Sequence, residues 1–164
     1  MQINILKTSL LFSLLMIFSS CNRGVELADD LPQEEISNAL LLITDNADNI
    51  TKVYNYQVNG SNIPNIKLEN GHEYTVEIAL KNGAEDVTQE VKDAKDEHFF
   101  TFDFPNSDIV LTRLDDATST RSDGSKVGLT TKWKVNTAVK SGTAQVILTL
   151  YHESISVSEN SQAS

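Results

Sequence analysis

The strongest constraint on the fold is an alternation of apolar and polar residues that recurs along most of the chain after Asn38. Successive side chains of a strand point to opposite faces of a sheet, so each alternating segment places one face against a core. The segments lie at residues 39–44 (a continuous apolar run), 53–58, 66–68, 74–80, 100–104, 109–111, 129–135 and 144–150. This pattern predicts an all-β protein, an antiparallel immunoglobulin-like β-sandwich over residues 37–153.

One segment follows the helical period instead. Val87 and Val91 stand four residues apart, and Asp86 followed by Gln89 is typical of a capping box at a helix start. We therefore predict one short helix over residues 85–96, which crosses between two strands and covers an open end of the core. A doubly wound α/β fold is excluded because it needs a helix between most of its strands.

The N-terminus has the organisation of a lipoprotein signal peptide. Lys7 precedes the apolar run 10–18, and Ser19-Ser20 stand directly before Cys21. The run is too short for a bilayer span, which takes about 20 apolar residues. We predict that residues 1–20 are removed and that Cys21 becomes the lipidated first residue. The alternative is an ordinary signal peptide with an incidental cysteine.

Lipidation of Cys21 determines how the rest of the chain is organised. Cys21 is the only cysteine, so the mature chain would have no thiol left for a disulfide or a thiolate metal site. Residues 21–36 are acidic and lack a sustained period, which predicts a flexible tether, and residues 154–164 form a polar C-terminal tail. We expect a lipid-anchored protein of the outer membrane, on its periplasmic or its surface face.

The charge excludes one class of partner. The formal net charge is −10, and the chain has no cluster of Lys and Arg that would neutralise phosphates. Nucleic-acid binding is therefore not expected. The acidity itself is typical of a solvated, soluble surface.

No catalytic signature is present. The chain lacks a G-x-S-x-G elbow, a phosphate-binding glycine-rich loop and an H-E-x-x-H motif, so we predict a protein that is not an enzyme and carries no cofactor. Trp133 and the tyrosines could line a sugar-stacking face. However, Trp133 lies on the apolar side of its segment, which favours a place in the core.

Two of the three histidines stand where strands begin or end. His98 follows Glu97 just before the phenylalanine-rich segment, and His152 follows the last alternating segment. Strand ends of a sandwich gather at two poles, so these side chains could lie at the same pole. There Glu97, His98 and His152 could bind Zn²⁺ or the polar end of a ligand. The alternative is structural hydrogen bonding. His72, in an Asn-Gly-His turn, is interpreted as a solvated loop residue.

About half of the chain resembles a group of small, uncharacterised outer-membrane lipoproteins of Bacteroidota. The resemblance is carried by the strings Tyr74–Asn82, Glu97–Phe100, Gly128–Trp133 and Gly142–His152. Similar proteins are often encoded near TonB-dependent receptors, which implies an accessory role in nutrient capture with an unknown ligand. They continue into a further strand after the histidine, whereas this chain ends in a polar tail. One sheet edge is therefore expected to be exposed and able to pair with a partner.

These observations leave two classes of function. The first is a non-enzymatic ligand-capture module or an accessory of a TonB-dependent receptor, attached to the membrane by its lipid anchor. The second is a structural or interaction protein that docks another envelope protein through a sheet edge or its loops.

Overall fold

A computed structural model describes residues 35–153 and 157–159. The signal peptide 1–20, Cys21, residues 22–34 and most of the C-terminal tail lie outside the described residues. The lipidation prediction is therefore not addressed by the fold.

The described chain is an antiparallel all-β fold, as the alternation predicts. Its strands are β1 (Asn38–Asp45), β2 (Thr51–Gln57), β3 (Glu73–Asn82), β4 (Glu85–Asp86), β5 (Phe99–Asp103), β6 (Asp108–Arg113), β7 (Thr130–Thr137) and β8 (Ile147–Tyr151). One α-helix, α1 (Thr88–Asp93), and a single 3-10 turn (Ala117–Ser119) complete the regular structure.

The larger sheet has the strand order β2-β1-β3-β7-β6, and the short β4 pairs with the end of β3. Strand β3 lies at its centre, because β1 and β7 pair with it on either side. Its inward side chains are all buried, and they are the four that the alternation predicts: Tyr74, Val76, Ile78 and Leu80. The sheet is thus anchored by its most regular segment.

A second sheet consists of β5 and β8 alone. Phe102 and Phe104 meet Trp133 of β7 edge to face, with ring centroids 6.3 and 5.0 Å apart. The two sheets therefore share one core, which makes the fold sandwich-like, and Trp133 is fully buried in it as predicted. That the sandwich is immunoglobulin-like stays a prediction.

The helix is shorter than predicted. Residues 85–86 pair with β3 as β4, and α1 covers only Thr88–Asp93. The capping-box interpretation is wrong: Val87 is the N-cap, and Gln89 donates to Asp93 rather than back to the helix start. The predicted contact with the core is confirmed, since Val87 and Val91 are both buried in it.

Two strand boundaries also differ from the alternation. Ile66 and Leu68 pack against the core from an irregular segment, and the last strand begins at Ile147 rather than Ala144. Apolar side chains can fill a core without ladder hydrogen bonds, so alternation over three residues does not establish a strand.

No helix among residues 35–153 and 157–159 has the length and apolar character needed to cross a membrane.

Candidate functional site

The structure brings His98 and His152 together, and strand register is the reason. In the β5–β8 ladder Phe99 lies opposite Tyr151. The next residues outward along the two antiparallel strands are His98 and His152, so the backbone pairing itself makes them neighbours. Their ring centroids are 5.0 Å apart, and the ring planes meet at 60°.

His98 is the inner member of this pair. Its side chain is buried, with 2 % of the residue exposed. Its Nδ1–H donates to the carbonyl of Ala94 at 2.9 Å, because a carbonyl oxygen can only accept. The carbonyl of His98 accepts from Nη1 of Arg121, also at 2.9 Å. The imidazole is therefore held by the carbonyl at the end of α1, and the buried Arg121 holds the backbone of His98.

Glu97 and His152 form the outer part of the cluster. Nε2 of His152 lies 3.6 Å from Oε2 of Glu97, and both side chains are substantially solvent-exposed. This contact is an ion pair only when the imidazole is protonated. At the end of β8, one carboxylate and one imidazole are thus accessible to water or a ligand. The buried ring of His98 lies beside them.

The predicted metal chemistry gains no support from this geometry. Among the described residues, no group of three or more His, Cys, Asp or Glu side chains is placed to hold a metal ion. Glu97, His98 and His152 are neighbours without forming such a group. Their arrangement suits hydrogen bonding to the polar atoms of a partner or ligand.

Strand β8 leaves one of its edges open within the described part of the chain. It pairs with β5 on one side, and no other described strand pairs with it. Ile147 and Tyr151 project from its two ends and are 41 % and 45 % exposed. The other edge of β5 is occupied, since the N–H of Phe100 donates to the carbonyl of Val127 at 2.8 Å. The second sheet is therefore extendable at β8.

A buried polar network attaches β5 to the rest of the fold. Arg113 donates through Nη2 to the carbonyl of Phe100 at 2.5 Å and through Nη1 to the carbonyls of Lys126 and Val127, both at 3.0 Å. Burial lowers the pKa of Arg113 from its ordinary value. Asp115 accepts from the backbone N–H of Leu129 at 2.8 Å. This network holds the segment 113–129 against β5.

Sequence reasoning missed this network. Arg113 and Asp115 belong to a stretch rich in charged and small residues, which is typical of a solvated loop. A buried arginine has no sequence signature when its partners are backbone carbonyls. The tail also returns to this region: the Glu159 carboxylate accepts from the backbone N–H of Lys126 at 2.7 Å.

His72 is more than a solvated loop residue. Its Nδ1 lies 2.7 Å from Oδ2 of Asp45, and its Nε2 lies 3.5 Å from Oε2 of Glu69. The hydrogen bond to Asp45 raises the pKa of His72 from 6.5, and Coulomb attraction to Asp45, Glu69 and Asp48 adds to it. The pKa of Asp45 is lowered by the backbone N–H of Ala47 and by His72. This pair ties the β1–β2 turn to the start of β3.

One shallow depression lies on the outer face of the larger sheet, beside α1. Its volume is about 200 Å³, and Leu42, Glu77, Ala79, Lys92 and Thr130 are among its lining residues. Clefts that enclose small ligands usually measure about 300–1,000 Å³. This depression is too small and too polar to enclose one.

Comparisons with protein-family models, with curated proteins and with solved structures find no match to this chain.

Proposed function

We propose that this chain is a non-enzymatic outer-membrane lipoprotein, anchored through Cys21, that docks another envelope protein along the open edge of β8. The observation that carries the proposal is the position of β8. It is the outer strand of a sheet of two, with a single described partner strand and exposed apolar side chains at both ends.

Strand addition gives the physical basis for this docking. An unpaired edge presents backbone N–H and C=O groups that an extended segment of another chain can pair with. Proteins usually protect such edges with charged residues, proline or a bulge. Residues 147–151, Ile-Leu-Thr-Leu-Tyr, contain neither charge nor proline, and their ladder with β5 has continuous register. Backbone pairing would supply affinity, and contacts with Ile147 and Tyr151 would supply specificity.

The exposed Glu97–His152 contact would form one end of the proposed interface. His152 lies one residue beyond the last β5–β8 pair and Glu97 two residues beyond it, at the end of the ladder that an added strand would extend. Their exposed carboxylate and imidazole can bond to polar side chains or backbone groups of the docked segment. The buried His98 supports His152 from behind.

The first partner to test is a TonB-dependent receptor. This choice comes from the resemblance to lipoproteins encoded beside such receptors, and it makes the chain a receptor accessory. A tether of about 15 residues spans at most about 50 Å when fully extended. The anchored domain would therefore stay within reach of a protein in the same membrane.

Ligand capture is the second candidate, and the exposed Glu97–His152 contact is the observation that favours it. The polar end of a small ligand would bind at this pole in place of a protein segment. Zn²⁺ is the simplest probe: binding heat that disappears in the His152→Ala variant supports capture, and equal traces from both proteins contradict a metal ligand there.

Co-purification from the native envelope tests the docking proposal. The full-length tagged protein is compared with Ile147→Lys and Tyr151→Lys, since lysine on an edge strand opposes pairing. The matched control is Val110→Lys, an exposed valine on β6 at the far edge of the larger sheet. We expect the β8 variants to lose a receptor that the wild type and the control retain. Equal recovery from all four proteins would overturn docking at β8.

The anchor is tested separately with Cys21→Ser. This variant should remain in the soluble fraction when membranes are sedimented. Unchanged membrane association would show another mode of attachment and would refute lipidation as the anchor.

A further inference from the structure

A second surface is singled out by a long uncharged stretch. The chain contains 13 basic and 23 acidic residues, yet none of residues 53–66 is charged. This stretch of 14 residues lies between Lys52 and Lys67. It runs from β2 into the loop that follows, so an acidic protein has one sizeable region from which acidic side chains are missing.

Four large apolar side chains of this stretch face solvent: Val53 near the start of β2, and Tyr56, Val58 and Ile63 at its end and in the loop that follows. Ile63 is 78 % exposed, and Tyr56 and Val58 are 43 % and 42 % exposed. We call Tyr56, Val58 and Ile63 the apolar loop patch. No other large apolar side chain among the described residues is as exposed as Ile63.

The loop that carries the patch is held against the domain. The N–H of Gly60 donates to the carbonyl of Gln57 at 3.0 Å, and Ile66 packs against the core. The backbone N–H of Lys67 donates to the hydroxyl of Tyr54 at 3.5 Å. Both ends of the loop are therefore fixed, and its apolar side chains project from a defined support.

The patch lies where the tether joins the domain. The N–H of Val58 donates to the carbonyl of Ser37 at 2.8 Å, and Ser37 directly precedes β1. The chain reaches Ser37 from the predicted lipid anchor at Cys21. Of the two edges of the larger sheet, β2 is thus the edge nearest to the tether, and β6 lies at the opposite edge.

We propose that the apolar loop patch inserts into the headgroup region of the membrane that holds the lipid anchor. Tyrosine and aliphatic side chains are favoured at this depth, and flanking lysines can extend to lipid phosphates. An uncharged end also approaches an anionic surface without the repulsion that the rest of the protein would experience. This inference rests on the proposed anchoring through Cys21. Strand β8 belongs to the other sheet, so its edge would remain open for docking while the patch is inserted.

A fluorescent probe on the loop tests this arrangement in the anchored protein. The lipidated full chain carries Ile63→Cys labelled with an environment-sensitive dye, in vesicles of phosphatidylethanolamine and phosphatidylglycerol. Acylation of Cys21 leaves the new cysteine as the single reactive thiol. The matched control is Val110→Cys, which is exposed on β6. Both substitutions are at solvent-exposed positions, so neither removes a core contact.

We expect the emission of the dye at position 63 to shift to shorter wavelength and to be quenched by lipids with spin labels near the headgroup. The dye at position 110 should show neither change. Equal, water-like behaviour of both probes in protein that co-sediments with vesicles would overturn the insertion while leaving the anchor intact. A blue shift at position 63 that needs an added envelope protein would also overturn it, in favour of a protein partner. Failure of the labelled protein to co-sediment would refute the anchor, and the insertion with it.

Discussion

Strands β7 and β8 have the same alternating pattern but different environments. Strand β7 pairs with β3 and β6, and its inward residues Thr131, Trp133 and Val135 are fully buried. Strand β8 pairs with β5 alone, and its inward residues Leu148 and Leu150 are only half-buried. Alternation thus predicts which face of a strand turns inward, but not whether other strands pair with both of its edges. Under the proposed function, β7 provides stability and β8 provides an edge for a partner.

The largest expected effect tests the β7 side of this comparison. Trp133→Ala removes a fully buried ring that contacts Phe102 and Phe104. The free energy of unfolding should fall by about 3–5 kcal/mol, as for other large-to-small core substitutions. Tyr151→Ala on β8 should lower it by less than about 1 kcal/mol. Urea unfolding followed by far-UV circular dichroism measures both, and similar losses would contradict the division of roles.

Gly128→Ala sharpens the comparison at the junction between the two sheets. Gly128 has φ +99°, and an added Cβ would lie too close to Nη1 of Arg113 and 3.2 Å from Cβ of Phe100. We expect a loss of about 1–3 kcal/mol from backbone strain, with a further loss from the displaced arginine. Gly124→Ala is the matched control, because its φ is +85° with open space around the added carbon. Equal losses in both variants would show that the Arg113 network does not hold β5 in place.

A smaller effect should appear as pH dependence at the end of the larger sheet. The raised pKa of His72 means that its contribution is complete below pH 6.5, the ordinary value, and is lost as pH rises through the folded-state pKa. The lowered pKa of Asp45 means that its contribution is present above 3.8 and is lost as pH falls through the folded-state pKa. The Asp45–His72 pair therefore stabilises the fold most between pH 3.8 and pH 6.5.

The variant His72→Gln isolates this pair. Its deficit in urea midpoint relative to the wild type should be greatest between pH 3.8 and pH 6.5, where both groups are charged, and should shrink as the pH rises through the folded-state pKa of His72. His152→Gln serves as the control, since His152 follows β8 of the second sheet, whereas Asp45 ends β1 of the larger sheet. If the deficit in urea midpoint of His72→Gln does not vary with pH, the charge of His72 does not stabilise the fold.

The sequence predicted those features that depend on local pattern. The inward faces of β3 and β7, the burial of Trp133 and the contact of one short helix with the core all follow from periodicity. The helix boundaries do not follow from periodicity, because residues 85–86 pair with β3 despite their helical pattern. Tertiary context of this kind overrides local propensity at element ends.

The sequence identified the residues of the candidate site, but not the strand pairing that brings them together. The sequence placed His98 and His152 at strand ends, yet which strands pair is a property of the whole topology. Direct pairing of β5 with β8 makes the two rings neighbours. The carbonyls that hold Arg113 are equally invisible in a sequence, since every residue has one. Both features arise only from the folded topology.

Site-specific photo-crosslinking in living cells tests the central claim, docking at the edge of β8, most directly. A photoreactive amino acid replaces Ile147 or Tyr151 in the full-length protein, and Val110 on β6 serves as the control position. The account predicts that both β8 positions crosslink to one and the same envelope protein and that position 110 does not. Crosslinks of equal yield to the same protein from all three positions, or none from β8 in correctly anchored protein, would contradict it.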